Sequence, residues 1–115
     1  MTTTTDIAKK TAVRIGIIAP DETLEAQDES SLKSSLTNMH EALIDDNVIR
    51  WELDAIPGKA VGALISELAW YVRDDFDLPV AKIQSLQLSQ VEARKTLNRQ
   101  YMIPYNGEAA EVSYY

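Results

Sequence analysis

The stretch "PGKAVGALISELAWYVRDD", residues 57–75, carries the clearest helical pattern in this chain of 115 residues. Its apolar residues recur at steps of three and four, which is the spacing of one face of an α-helix. Pro57 suits the first helical position, where the N–H that proline lacks would have no partner. We therefore predict a helix that opens at Pro57. Its predicted inner face and end are marked by Ala60, Leu64, Leu68, Tyr71, Val72 and Asp75.

A short helix is predicted near the start of the chain, over the segment "DIAKKTAVRI" at residues 6–15. Its apolar residues also follow the helical spacing, and Gly16 comes next, where a left-handed cap is needed. The side that we expect to be buried consists of Ile7, Ala8, Thr11, Ala12 and Ile15.

A longer helix is predicted between these two, after a polar connection that contains Pro20. Asp28 or Ser30 is suited to cap its start, and Asn47 is suited to end it in the left-handed conformation. Its expected buried residues are Leu32, Leu36, Met39, Leu43 and Ile44. An extended segment should follow and insert Val48, Ile49, Trp51 and Leu53 into the core.

A fourth helix is predicted to start at Pro79, after the acidic segment "DDFDLP". Its residues spaced for burial are Ile83, Leu86, Ala93 and Leu97. The sequence therefore predicts an all-α fold, a small bundle of about four helices in one domain over residues 1–98. Trp51, Trp70, Tyr71 and Phe76 are expected to be core aromatics.

The last residues, 99–115, change to an alternating pattern with an Asn-Gly turn at its centre. Alternation of this kind predicts two short strands, and a lone hairpin is marginal in water. We therefore expect an extended C-terminal arm that becomes ordered when it adds to a partner's sheet or groove. The residues predicted to bind the partner are Tyr101, Ile103, Tyr105, Val112, Tyr114 and Tyr115.

Few side chains in the sequence are candidates for chemistry. There is no cysteine, and His40 is the one histidine, so neither a disulfide nor a thiolate or histidine-rich zinc site is expected. Candidate carboxylates for acid–base work or a magnesium ion are Asp45 and Asp46, or Asp74, Asp75 and Asp77. Both groups fall at predicted helix ends without a nucleophile or a Gly-rich loop. We therefore expect no enzyme, no catalytic residue, no metal and no cofactor, and we expect His40 at the surface or its boundary.

Charge is placed unevenly in this chain of net charge −7. Residues 20–54 hold ten acidic residues against Lys33 and Arg50, which gives −8, whereas residues 1–19 give +2. A protein that binds duplex DNA needs clustered Lys and Arg side chains, whereas this acidic composition repels phosphate. No run of eighteen apolar residues is present, so we expect no membrane span and synthesis in the cytoplasm.

The order of segments resembles the head-to-tail adaptor proteins of tailed bacteriophages, also called connector or head-completion proteins. The resemblance is carried by a short helix ending "RIGII" and a long helix "SSLKSSLTNMHEALIDDNVIRW" that ends near a tryptophan. The third part is "IPGKAVGALISELAWYVRDDFDLPVAKIQSLQLSQVEARKTLNR", which contains a helix started by proline, the acidic segment and the last helix. The likeness covers about residues 6–100 and consists of helices and spacings.

This resemblance implies a structural virion protein that forms a dodecameric ring under the portal protein, in the neck where head meets tail. Such a ring extends the DNA channel and links the head to stopper or tail proteins. Its arm docks into the portal, and genomic DNA passes through without specific binding. An acidic wall is suited to that passage. Neighbouring subunits would meet through the second and third helices.

Three other functions stay open. A small acidic regulatory protein that mimics DNA would bind a basic partner in a salt-sensitive way through residues 20–54. An enzyme would require a pocket with perturbed carboxylates. Sequence-specific DNA binding would rest on Lys9, Lys10 and Arg14, three cations against the charge of the remaining chain.

Overall fold

The fold is known from a computed structural model that describes residues 3–102. Within that range the chain forms four α-helices and contains no strand, so the predicted all-α bundle is confirmed. The helices are α1 (Thr4–Ile15), α2 (Ala26–Asp45), α3 (Val61–Tyr71) and α4 (Val80–Met102). Two short 3-10 turns, Leu53–Ala55 and Gly58–Ala60, lie between α2 and α3.

Helix α1 follows its sequence pattern closely. Its buried residues are the five predicted ones, Ile7, Ala8, Thr11, Ala12 and Ile15. At its start the Thr3 hydroxyl accepts from the Asp6 backbone N–H, and the Asp6 carboxylate accepts from the Thr3 backbone N–H. This reciprocal pair is a capping box. At its end Gly16 has a φ of 87°, the left-handed conformation that was predicted.

Helix α2 starts earlier than expected and is capped differently. Its first residue is Ala26, and Glu25 precedes it with extended backbone and no side-chain cap. The prediction that Asp28 or Ser30 caps this helix is wrong, because both residues lie inside it. Asp28 instead lies in the first turn, where a negative charge is favoured by the helix dipole. The end is as predicted, with Asn47 at a φ of 60°.

The start of α3 also differs from the prediction. Pro57 has extended backbone and precedes the 3-10 turn Gly58–Ala60, and the α-helix begins only at Val61. The Ala60 N–H donates to the Pro57 carbonyl at 2.9 Å, which closes the tighter turn. Gly58 explains part of this difference, since glycine is a poor helix former.

Two residues of the predicted α3 face are not part of the core. Tyr71, the last residue of α3, is 46% exposed, and Asp75 lies beyond the helix and is exposed. The other four predicted positions, Ala60, Leu64, Leu68 and Val72, are buried. Tyr71 was also predicted to be a core aromatic, and that prediction is wrong because its side of the last turn is left uncovered. Trp51, Trp70 and Phe76 are half-buried against the core.

Helix α4 is longer than predicted. It continues through residues 99–102, which the sequence pattern assigned to an extended arm. The predicted end of the last helix near residue 98 and the predicted start of a strand at residue 99 are therefore wrong, while the division into a helical domain and a C-terminal arm stays a prediction. Adding residues to an existing helix is favourable because each adds a hydrogen bond, and Arg99 in the last turn complements the helix dipole. Residues 103–115 lie outside the described residues.

One hydrophobic core joins the four helices and the corner after α2. Helix α3 lies at its centre and packs against α1, α2 and α4. From α4 the core receives Leu86, Ala93 and Leu97 as predicted, while Ile83 is only half-buried. From the corner it receives Val48 and Ile49, and Trp51 and Leu53 pack against it in part.

Candidate functional site

A buried ion pair fastens α4 to α3. Glu67 is 3% exposed, and its carboxylate accepts from Arg94 Nε at 2.9 Å and from an Arg94 terminal nitrogen at 3.3 Å. Gln90 Nε2 donates to the same carboxylate at 3.3 Å. The hydrogen bond to Glu67 is the main cause that raises the pKa of Arg94 above its usual value. Every oxygen of Glu67 thus has a donor, and the arrangement serves packing rather than proton transfer.

A second polar contact holds the extended segment against α2. The imidazole of His40 is 7% exposed, and its Nε2 lies 2.8 Å from the Trp51 carbonyl oxygen. The expectation that His40 lies at the surface or its boundary is therefore wrong. The corner that follows α2 folds back over this histidine and covers it. Of the buried side-chain nitrogen and oxygen atoms in the described part of the chain, only Trp51 Nε1 has no partner.

The candidate carboxylates do not form a site. Asp45 and Asp46 are exposed at the end of α2, and Asp74, Asp75 and Asp77 are exposed between α3 and α4. Within residues 3–102 no group of three or more histidine or acidic side chains could hold a metal ion. These acidic residues therefore contribute surface charge.

The strongest acidic feature is an acidic corner, defined here as Glu41, Asp45, Asp46, Glu52 and Asp54. All five side chains are exposed, on the last turns of α2 and on the segment that follows the turn at Asn47. Glu41, Asp45 and Glu52 line an open cleft of about 490 Å³ whose apolar wall includes Ile44 and Leu53. Within the described residues no ion pair involves any of the five carboxylates.

A cleft of opposite charge, here called the basic cleft, lies between α1, the connection that follows it, and α3. It has a volume of about 510 Å³. Its lining consists of Lys9, Lys10, Val13, Arg14, Pro20 and Ile65. The three cations were singled out in the sequence, but their apolar neighbours were not, because Ile65 lies far along the chain and is brought there only by packing.

The exposed side of α4 carries apolar residues that sequence analysis missed. Val80 is 71% exposed, Leu88 72% and Val91 46%. Leu88 and Val91 are three residues apart and therefore share one helix face. An apolar pair on the otherwise polar side of a helix was the signal that could have found them. Leu88 also lines a shallow cleft of about 450 Å³ between α4 and α3.

Most of the residues predicted to bind a partner lie outside the residues that the structure describes. Tyr101 lies on the last turn of α4, where the backbone is helical and not extended. The other five lie outside the described residues: Ile103, Tyr105, Val112, Tyr114 and Tyr115.

Comparison of the chain with family models, with curated proteins and with solved structures finds no match. Among residues 3–102, none of the helices has the length and apolar character needed to cross a bilayer.

Proposed function

We propose that this protein is a structural subunit of a tailed-bacteriophage virion, a head-to-tail adaptor that forms a ring under the portal. In that position it extends the DNA channel and links the head to the stopper or tail. The observation that carries the proposal is the exposed acidic surface of a small helical bundle. Of the ten acidic residues between 20 and 54, eight are exposed and two, Asp28 and Glu29, are half-buried.

An acidic surface fits a channel through which DNA must move. Duplex DNA presents a dense row of phosphates, and a wall of the same charge does not hold them. In this proposal the exposed carboxylates Asp21, Glu22 and Glu25, on the connection before α2, contribute to such a wall.

Assembly also accounts for features that a lone bundle does not require. The apolar side chains Val80, Leu88 and Val91 remain exposed on α4. Exposed apolar residues that share a face are typical of protein–protein contacts. In this proposal a homo-oligomeric, dodecameric ring covers part of such surface, and the arm grips the portal through Tyr101, Ile103, Tyr105, Val112, Tyr114 and Tyr115.

Native mass spectrometry of the protein mixed with portal rings from the same genome tests this proposal. The full chain is compared with a chain that ends at Met102. The cut belongs after Met102 because a cut at Leu97 would remove the last turn of α4 together with the arm. A full-length variant with Tyr105, Tyr114 and Tyr115 changed to Ser is the matched control for arm length.

We expect full-length chains to add to the portal in a ring-sized number, and both altered chains to add weakly or not at all. Equal addition by all three chains would keep the adaptor and reject the arm as the portal contact. No addition by any chain would reject the adaptor.

A second candidate function rests on the same exposed carboxylates. A small regulatory protein that mimics DNA would present them to a basic partner. Its binding would weaken steeply with salt and would survive removal of residues 103–115, whereas portal binding through the arm would not. The chain that ends at Met102 therefore separates the two functions.

A further inference from the structure

We propose that the basic cleft of one copy receives the acidic corner of a second copy, so that neighbouring subunits meet head to tail. The inference rests on the proposed ring and deepens it, since it names the surfaces in contact. The broader expectation was that α2 and α3 contact the neighbouring subunits. The proposed contact is instead between the end of α2 and the cleft beside α1.

The cations of the basic cleft are available for such a contact. Lys9, Lys10 and Arg14 are exposed, and no carboxylate among residues 3–102 lies within ion-pair distance of them. Two acidic side chains near these cations in sequence, Asp6 and Glu22, accept from backbone donors. Asp6 accepts from the Thr3 N–H at 3.1 Å, and Glu22 accepts from the Ala19 N–H.

The cleft is also held in shape. One terminal nitrogen of Arg14 donates to Ser66 Oγ on α3 at 2.8 Å, which fixes the guanidinium beside the buried Ile65. Lys82 Nζ lies 3.4 Å from the Arg14 carbonyl oxygen and brings a fourth cation to the end of α1. Val13, Pro20 and Ile65 provide an apolar floor below these charges. A partner for this cleft must combine negative charge with apolar surface.

The acidic corner has that combination. The chain reverses at Asn47, so Asp45 and Asp46 stand on a turn at the end of α2. Ile44 and Leu53 are half-buried beside them and supply apolar surface. The corner carries five acidic residues, and Arg50 in the same segment leaves it at −4. No other segment of the described chain presents so many exposed carboxylates together with apolar side chains.

The two surfaces share no residue, so one copy can contact two neighbours, one through each surface. A patch that binds a different patch on the next copy produces a head-to-tail chain of subunits, and such a chain closes into a ring when the rotation allows. A two-fold dimer would bring the same two surfaces together reciprocally and leave neither free for a third copy, so the proposed ring requires the head-to-tail arrangement.

Cysteine trapping tests this contact in the full chain, which has no natural cysteine. Ala19→Cys places a thiol beside Pro20 at the basic cleft, and Ala42→Cys places one on α2, between Glu41 and Asp45 of the acidic corner. Gln87→Cys on α4 is the control, and all three positions are exposed. Pairs of these chains are mixed at low ionic strength, and the rates of mixed-disulfide formation are compared.

We expect the Ala19→Cys and Ala42→Cys chains to cross-link about tenfold faster than either does with Gln87→Cys, as electrostatic steering allows. This difference in cross-linking rate should disappear at high salt. It should also disappear when the Ala19→Cys chain carries Lys9→Glu and Lys10→Glu. Adding Asp45→Lys and Asp46→Lys to the Ala42→Cys chain should then restore the faster rate, and circular dichroism of each chain checks the helices.

Two outcomes overturn the inference. One is a mixed rate equal to the control, and the other is preferential cross-linking of Ala19→Cys or Ala42→Cys chains with themselves. The test involves no portal, so its failure is distinct from failure of the adaptor proposal. Trapping without portal addition would leave the head-to-tail contact and reject the adaptor, whereas portal addition without trapping would assign the ring contact to other surfaces.

Discussion

Helices α3 and α4 lie against each other, but their surroundings differ sharply. Helix α3 is buried at seven consecutive positions, from Ala63 to Ala69, and its one charged residue is Glu67. Helix α4 buries Leu86, Ala93 and Leu97 along one side and carries five charged residues among its 23. An apolar sequence on all sides is typical of an interior helix, and a narrow apolar stripe is typical of a surface helix.

The difference shows where the stability of this protein is concentrated. Helix α3 contacts each of the other helices, so its side chains are enclosed by the core. Its buried carboxylate requires a partner, and the surface helix supplies one in Arg94, whose own side chain is 39% exposed. Changes in α3 should therefore act on folding, while changes on the outer side of α4 should leave the free energy of unfolding nearly unchanged.

The largest contrast is expected between two leucines. Leu68 on α3 is fully buried, so Leu68→Ala should lower the free energy of unfolding by about 3 kcal/mol through lost burial and a cavity. Leu88 on α4 is 72% exposed, so Leu88→Ala should change it by less than about 0.5 kcal/mol. Urea denaturation measures both variants. Similar losses would mean that Leu88 is covered in the folded protein.

The buried ion pair between the two helices should rank next. Arg94→Met leaves the Glu67 carboxylate buried with Gln90 as its remaining donor, at a cost of about 2 kcal/mol in unfolding free energy. Adding Glu67→Met should recover most of this loss, because no charge is then buried.

Lys95→Met is the control for this pair. The Lys95–Glu92 pair is exposed on both sides, and its loss should cost less than about 0.5 kcal/mol. A loss for Arg94→Met as small as for Lys95→Met would show that water solvates Glu67 well enough without its arginine. Urea titration at neutral pH measures all of these variants.

A smaller effect is expected at two glycines, with opposite signs. Gly62 lies in α3, and a methyl group there would meet no atom within 4 Å, so Gly62→Ala should stabilise the protein by about 0.5 kcal/mol. Gly16 also has open space, but its φ of +87° disfavours a side chain, and Gly16→Ala should cost about 1 kcal/mol. Thermal unfolding by calorimetry measures both. A change in stability of the same sign in both variants would contradict the left-handed backbone conformation of Gly16 at the end of α1.

The smallest effect concerns pH and the capping box of α1. Hydrogen bonds from the backbone N–H of Thr3 and then from its side chain lower the pKa of Asp6 in the folded protein. Because the folded pKa is lowered, this contribution is fully present above the unfolded value, about 3.9, and is lost as pH falls through the folded value. Asp6→Asn should therefore be less stable than the natural chain at pH 6, and the gap should close toward pH 2. A gap that stays constant with pH would exclude the carboxylate as its cause.

Local patterns in the sequence predicted those elements whose conformation does not depend on the helices packed against them. The buried side of α1 follows from the spacing of five residues, and the left-handed ends at Gly16 and Asn47 follow from residue type. The cap of α2 and the end of α4 were missed. Both depend on where a helix stops propagating, and several residues near each end allow helix.

Residue spacing alone therefore settled the fold class and most of the core, because a helix repeats its exposure every three to four residues. Packing settled the rest: the position of Tyr71, the burial of His40, the pairing of Glu67 with Arg94 and the apolar floor of the basic cleft. Each depends on which helix covers which, and these residues are brought together from distant parts of the chain. Arg14 and Ser66, which shape that cleft, are 52 residues apart and meet only because α1 packs on α3.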